Sequence, residues 1–324
     1  MTQLCGKGIW LAHAHDLQRA VEMTTSIGGK HLIVKVGHGP YYFPETTREH
    51  LKRIRALGLS PLAWIQLTQH MPQEAQKAIV ASLELGYEAV ALFLGPQQGS
   101  GVGAHHLTDA LINVDIPTDR LFLASPPPSY LADKSAFEAL VPVCQGGWMP
   151  MCFASWGDDA DTVVDREVYH ALDELSLLWN KTPEIYPVLS PSYGLNGDDL
   201  LPEHFIPWVE AIARHGVDFF SIYHAARTEK VLWPMLQAVN IPCMETGGRA
   251  PIPEESMVSI GQGLASIPQP VYITAKTSDT VWGIISRHGI QREQFWTWNA
   301  HLWESRGLPR DPDYLQGGWR LRVK

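Results

Sequence analysis

The sequence predicts an α/β protein: a (β/α)8, TIM-like barrel over residues 1–245, a Pro/Gly-rich linker over 246–270, and a small βααβ domain over 271–324. Three observations predict the barrel. Short apolar strands alternate with amphipathic stretches through residues 8–244, which is the pattern of a parallel sheet with crossover helices. Eight such units occupy about 240 residues, the ordinary size of a closed (β/α)8 barrel. No Gly-x-Gly-x-x-Gly follows the first strand, which weighs against an open doubly wound sheet.

Residues 8–12 form the first expected strand. Asp16 then caps a helix that carries Leu17, Val21 and Ile27 and stops at Gly28-Gly29. Residues 31–36 are the second strand. Its helix runs over 46–57, with Thr46 as cap and Glu49 completing a capping box. Residues 61–65 are the third strand, and Pro72 opens the helix that Gly86 closes. Residues 89–95 are apolar and bounded by Gly86 and Gly95-Pro96. They read as a buried fourth strand. The glycine-rich run 99–103 lacks a following Lys-Ser/Thr and reads as a mobile loop rather than a phosphate cradle. Residues 121–124 and 147–153 are strands five and six, the latter followed by a long helix to Trp179. Residues 185–189 are strand seven, and Pro202 opens its helix. Residues 218–223 are strand eight, with a helix over 228–239 behind it. Beyond the linker, residues 271–275 and 319–323 alternate as strands free to pair antiparallel, with helices expected near 278–289 and 292–298.

The composition sets further bounds. With 324 residues, 45% hydrophobic and 18% charged, the chain is globular and long enough to bury a core without disulfides. A net charge of −9 with no long basic run argues against a nucleic-acid partner. No apolar run approaches a membrane span, so no membrane partner is expected. The first residues lack a charged region followed by a long apolar one, so the chain is expected to be cytoplasmic as synthesised. Cys5, Cys144, Cys152 and Cys243 show no Cys-x-x-Cys spacing. They are expected to be free thiols in a reducing cytoplasm rather than zinc ligands.

Barrel enzymes and binding proteins place their functional groups at the C-terminal ends of the strands. Those ends carry His13, His15 and Asp16; His38; Gln66 and Thr68; Gln97 and Gln98; Ser125; Ser155, Trp156 and Asp158; Ser190 and Tyr193; and Tyr223 and His224. The set is polar, aromatic and rich in histidine. A metal reading would use His13, His15, His38 and His224 with Asp16 or Asp158. Lys35 and His38 do not complete a known ligand set, so no metal and no cofactor are expected. An aromatic reading uses Tyr41, Tyr42, Trp64, Trp156, Tyr193 and Tyr223 to stack on sugar rings. Its alternative is that some of these rings are core.

Two family resemblances add to this. Residues 271–324 resemble a LysM module. Tyr272-x-Thr274, the run Thr277 to Ile285, Phe295-x-x-Trp298-Asn299 and Leu315 to Leu321 carry the match. The family typically has Gly-Asp-Thr-Leu at its first helix and Pro-Gly-Gln before its last strand. This chain has Ser278 and Gln316-Gly317-Gly318 there, and a longer connection over 300–314. The run from Asn299 to Leu315 is similar to LysM variants of phage-tail and contractile-injection proteins. The resemblance implies binding of N-acetylglucosamine-containing glycan such as peptidoglycan, through Ser278, Asp279, Thr280, Asn299 and Ala300, or a role among assembly proteins.

Residues 8–244 are similar to glycoside-hydrolase-like barrels. Gly8 to Leu11, His31 to Val36, Gly86 to Val90, Leu121 to Ser125 and Trp148 to Met151 carry the likeness. Many active members have Asp-x-Glu at the end of strand four, where this chain has Phe93 to Gly95. The resemblance therefore implies a degenerate, pseudoenzyme-type barrel that binds cell-wall glycan or braces a phage-like particle. The alternative is an active muramidase or chitinase whose carboxylates come from Asp16, Glu45, Asp158 or Glu245.

Overall fold

The computed structural model describes residues 4–38, 41–42, 44–68, 72–95, 101–114, 116–154, 159–192, 200, 202–239, 241, 272–276, 280–290, 295, 299 and 320–323. The chain divides into two compact units, Met1–Leu264 and Ala265–Lys324.

The strands of the first unit are β1 (Gly6–Leu11), β2 (His31–His38), β3 (Tyr41–Tyr42), β4 (Ser60–Gln66), β5 (Val90–Phe93), β6 (Leu121–Ser125), β7 (Gly147–Cys152), β8 (Val188–Leu189) and β9 (Phe219–Ile222). All but β3 pair in parallel, and β1 bonds to both β2 and β9. This closes an eight-stranded TIM barrel. The short β3 folds back antiparallel on the end of β2. The helices between staves are α1 (Leu17–Ser26), α2 (Pro44–Ala56), α3 (Pro72–Leu85), α4 (Gly101–Ile112), α5 (Ser135–Leu140), α6 (Leu172–Trp179), α7 (Pro202–Arg214) and α8 (Trp233–Ala238). Staves such as β5 and β6 are buried along their whole length. Helices cover one face and the barrel interior the other, which is why these segments are apolar without alternation.

Alternate stave residues point inward. Ile33, Leu62, Phe122, Tyr186 and Phe219 belong to the interior core, as do Trp10, Trp64, Phe93, Phe153 and Tyr223. Trp64 lies 5.5 Å from Trp10, 5.2 Å from Phe93 and 6.2 Å from Tyr223, ring centre to ring centre. Both indole N–H groups are satisfied: Trp10 Nε1 donates to Ser221 Oγ at 2.8 Å and Trp64 Nε1 to the Leu11 carbonyl at 3.1 Å. Lys7, on β1, is also buried. Its ammonium donates to the carbonyls of Ile27 (2.8 Å), Leu236 (2.6 Å) and Gln237 (3.2 Å). It thus satisfies acceptors that the ends of α1 and α8 leave open.

Several expectations are corrected. Helix α2 opens at Pro44, so Thr46 lies inside its first turn rather than at its cap. Proline presets the helical φ two residues earlier than the polar signal implied. Asp16 does precede α1, but its side chain makes no capping bond. A 3-10 turn over Ala14–Asp16 runs directly into the helix, and Asp16 lacks the extended backbone a capping side chain needs. The glycine-rich loop ends at Gly101, where α4 begins. The long helix to Trp179 is split into a π-helical stretch, Thr162–Tyr169, and α6. The helix expected over 228–239 is a 3-10 turn, Lys230–Leu232, followed by α8. The seventh strand is shortened to β8, with Ile185 bridging Trp148 alone, because Pro187 has no N–H for the ladder. Cys5 is disulfide-bonded, whereas Cys144 and Cys152 are free, buried thiols pushed up by burial. Spacing along a chain reports only local cysteine pairs, so it missed this bond. The expected linker, 246–270, lies outside the described residues.

Gly147 makes the sharpest glycine demand. Its φ is +136°, and a Cβ there would stand 2.7 Å from the Glu184 carbonyl oxygen and 2.9 Å from the Tyr186 ring. Gly147→Ala is expected to lower the unfolding free energy by about 2–3 kcal/mol, combining strained φ with a backbone clash. Gly28→Ala, at φ +67° with open space around it, is expected to cost about 1 kcal/mol. Denaturant unfolding of the two variants checks the contrast.

The second unit contains β10 (Tyr272–Thr274), α9 (Val281–His288) and β11 (Arg320–Arg322). The strands pair antiparallel, with Ile273 opposite Leu321, as their alternation predicts. Ala275, Val281, Ile284, Ile285, Ile290, Phe295, Leu321 and Val323 form its core. Gly289, at φ +63°, ends α9. Among the described residues no helix is long and apolar enough to cross a membrane.

Candidate functional site

The C-terminal ends of β1, β2, β4 and β9 bring several of the expected residues together. After β1 the chain leaves His13 in an extended conformation and turns through Ala14–Asp16. The His13 and His15 rings stack 5.4 Å apart, and both are exposed. Asp16 is mostly covered. One carboxylate oxygen lies 3.6 Å from His15 Nε2, and the other is buried with no hydrogen-bond partner.

His224 follows β9. Its ring stands edge-on to His13 at 6.3 Å and to Tyr223 at 5.1 Å, and its Nδ1 is buried without a partner. Burial lowers its pKa to about 4, and the charges of Arg227, His13 and Lys35 act in the same direction, against Asp16. The loop is held from below by Arg19, which donates to the carbonyls of Ala225 and Thr228, both at 2.9 Å.

Lys35 stands on β2 beside Trp64 of β4 in the ladder register. Its Nζ donates to Gln66 Oε1 at 3.1 Å and lies 4.7 Å from the Trp64 ring centre. Burial lowers the pKa of this amine. His38, exposed at the end of β2, is lowered by burial and by the charge of Lys35. Beneath these groups Tyr223, Trp64, Phe93 and Phe153 form an aromatic floor. Burial pushes the Tyr223 phenol up to about 12. For Trp64 and Tyr223 the core alternative therefore holds over direct sugar stacking. Tyr41 is exposed and Tyr42 partly covered.

His13, His15, Asp16, Tyr223 and His224 thus share one side of the mouth, and His38 joins them through Lys35. Trp156, Asp158, Tyr193, Glu245, Ser278, Asp279 and Ala300 lie outside the described residues. Glu45 is in the first turn of α2, and its side chain is not among those described. In the second unit Thr280 is exposed just before α9. Asn299 is buried, and its Nδ2 donates to the Phe295 carbonyl at 2.9 Å. Among the described residues no group of three or more His, Cys, Asp or Glu is placed to hold a metal ion.

Sequence reasoning weighed Lys35 only beside His38 in a metal set; the structure places it at the mouth in its own right. Its signal is a lone charge within the apolar run 31–36, in phase with inward-facing Ile33. Chemically, the mouth offers imidazoles, one amine, one amide and, among the described residues there, the single carboxylate of Asp16. Glycosidic cleavage by the usual route needs two carboxyl groups flanking the bond.

No protein-family model and no curated protein matches the sequence. Solved structures share the fold. Active domain 2 of a thermostable chitinase from Pyrococcus furiosus is similar with a TM-score of 0.52 at 13% identity, covering 67% of this chain and 82% of that one. A dihydrodipicolinate synthase from Rhodopseudomonas palustris has a TM-score of 0.43 at 10% identity, covering 98% and 92%. An endo-1,4-beta-D-mannanase from Thermotoga petrophila also has a TM-score of 0.43 at 10% identity, covering 69% and 88%. The chitinase likeness, at that identity, is one of fold: a TIM barrel.

Proposed function

We propose that this chain binds cell-wall glycan, with the barrel acting as a binding rather than a cleaving module. The observation that carries this reading is the make-up of the mouth. Imidazoles, the Lys35 amine and the Gln66 amide stand over an aromatic floor, and Asp16 is the carboxylate among the described residues there. Such a set donates and accepts hydrogen bonds to sugar hydroxyl and acetamido groups. Among the described residues it holds no second carboxyl of the kind hydrolysis uses. The LysM resemblance of residues 271–324 supports the same reading, since that family takes N-acetylglucosamine-containing glycans. The antiparallel pairing of β10 with β11 around α9 agrees with the strand-helix order the resemblance requires.

A second reading rests on Asp16, whose buried, unpartnered oxygen at the mouth suits a general acid in a muramidase- or chitinase-type hydrolase. One set of measurements separates the two. The purified full chain is expected to be retained on insoluble peptidoglycan and released by N-acetylglucosamine oligomers, without producing new reducing ends. Absence of retention would overturn the glycan reading and leave a role in bracing a phage-tail or contractile-injection assembly. Reducing ends that appear with the wild type and vanish with Asp16→Asn would establish the hydrolase instead.

A further inference from the structure

Lys35 is costly to keep where it is. It follows Ile33 by two residues on β2, so it faces the barrel interior with it. Its ladder neighbour Trp64 is an interior core residue. An ammonium has three donors. One goes to Gln66 Oε1, and the Trp64 face takes up part of the charge. Neither contact neutralises it, and Lys35 forms no ion pair among the described residues. A partly desolvated cation without a counter-charge is unfavourable unless something supplies one.

The described surroundings do not supply it. His38 and His224 both feel the charge of Lys35, and His224 also feels Arg227 and His13. Asp16 opposes them, but its nearer oxygen is 3.6 Å from His15. Among the described residues the charges acting on His224 are thus mainly positive, in a chain whose formal net charge is −9. His224, nine-tenths buried, adds an unpartnered Nδ1 to the same site.

We propose that the mouth binds a carboxylate of its ligand on Lys35, so that the ligand is a sugar acid or a glycan with a free carboxylate beside the ring. This rests on the glycan reading above. The anion reaches Lys35 between Gln66 and His224, and the sugar body stays outside, among the exposed imidazoles of His13, His15 and His38. A carboxylate fits better than a phosphate. One ammonium matches a single negative charge, whereas a phosphate group carries about −1.5 to −2.

The test uses the full chain and calorimetric titration at pH 7. N-acetylmuramic acid and N-acetylglucosamine differ by a lactyl carboxylate, so they isolate the charge. The acid is expected to bind at least about tenfold more tightly, the size of a charge-assisted hydrogen bond. Lys35→Met is expected to abolish that preference, so that the acid binds no more tightly than N-acetylglucosamine does. Lys35→Gln serves as a second variant that keeps a polar end if the methionine protein does not fold. Equal binding of the two sugars overturns the proposal. So does a preference that survives both substitutions, inorganic phosphate displacing the acid as well as a carboxylate does, or no binding of either sugar. Retention on insoluble peptidoglycan is measured on the same samples. Retention without a carboxylate preference removes the Lys35 site and leaves the glycan reading standing.

Discussion

Trp64→Ala is expected to destabilise the first unit by about 3–5 kcal/mol, the range for removing a large buried aromatic. The ring is 1% exposed and touches Trp10, Phe93 and Tyr223. Alanine would leave a cavity that three staves cannot collapse, because closure fixes their spacing. It would also strand the Leu11 carbonyl, which accepts the Trp64 indole N–H, and remove the face beneath Lys35. Trp64→Phe separates these contributions. It keeps much of the volume, loses the hydrogen bond, and is expected to cost about 1–3 kcal/mol. Urea unfolding monitored by circular dichroism gives both values. If Trp64→Ala costs under about 1 kcal/mol, the ring does not organise the interior.

Acidification should act through His224. Its folded-state pKa of about 4 lies below the ordinary imidazole value of 6.5. Below 6.5 the unfolded chain takes up a proton that the folded chain refuses. The stability is therefore fully present above pH 6.5 and is lost progressively as the pH falls toward 4. The separation corresponds to about 3 kcal/mol. Burial is the main cause, and Arg227, His13 and Lys35 reinforce it against Asp16. His224→Gln carries no titrating proton. Its unfolding free energy is expected to fall less than the wild type's between pH 7 and pH 4.5, with the two proteins similar at pH 7. Parallel pH curves for both would remove His224 as the cause.

The barrel itself was legible because its signal is repeated. Apolar segments, prolines at Pro72 and Pro202, and glycines after helices each mark one unit, and the unit recurs. The helix starts were less so. Thr46 and Asp16 carry the right chemistry for caps, but Pro44 and the 3-10 turn before Leu17 decide the backbone first. Long-range facts left no local trace. Cys5 has no neighbouring cysteine to betray its disulfide. At the mouth, His13, His15, Asp16 and His224 were found because they sit at strand ends. Lys35 was weighed only as part of an incomplete metal set, because it sits within a strand, where orientation rather than position brings it to the mouth. Tyr223 stands at its strand end as expected and also packs into the interior cluster, since that strand end lies near the barrel interior.

The two indole hydrogen bonds carry a further consequence. Trp10 of β1 is fastened to Ser221 of β9, and Trp64 of β4 to Leu11 of β1. The first stave is thereby stitched to the last and, past β2, to the next stave but one, on top of the ladder bonds that join β1 to β2 and β9. The floor of the mouth is thus cross-linked by hydrogen bonds that need no ligand. A guest settling above it need spend little of its affinity on ordering the protein beneath, so even a small set of polar groups at the rim has a preorganised foundation to work from.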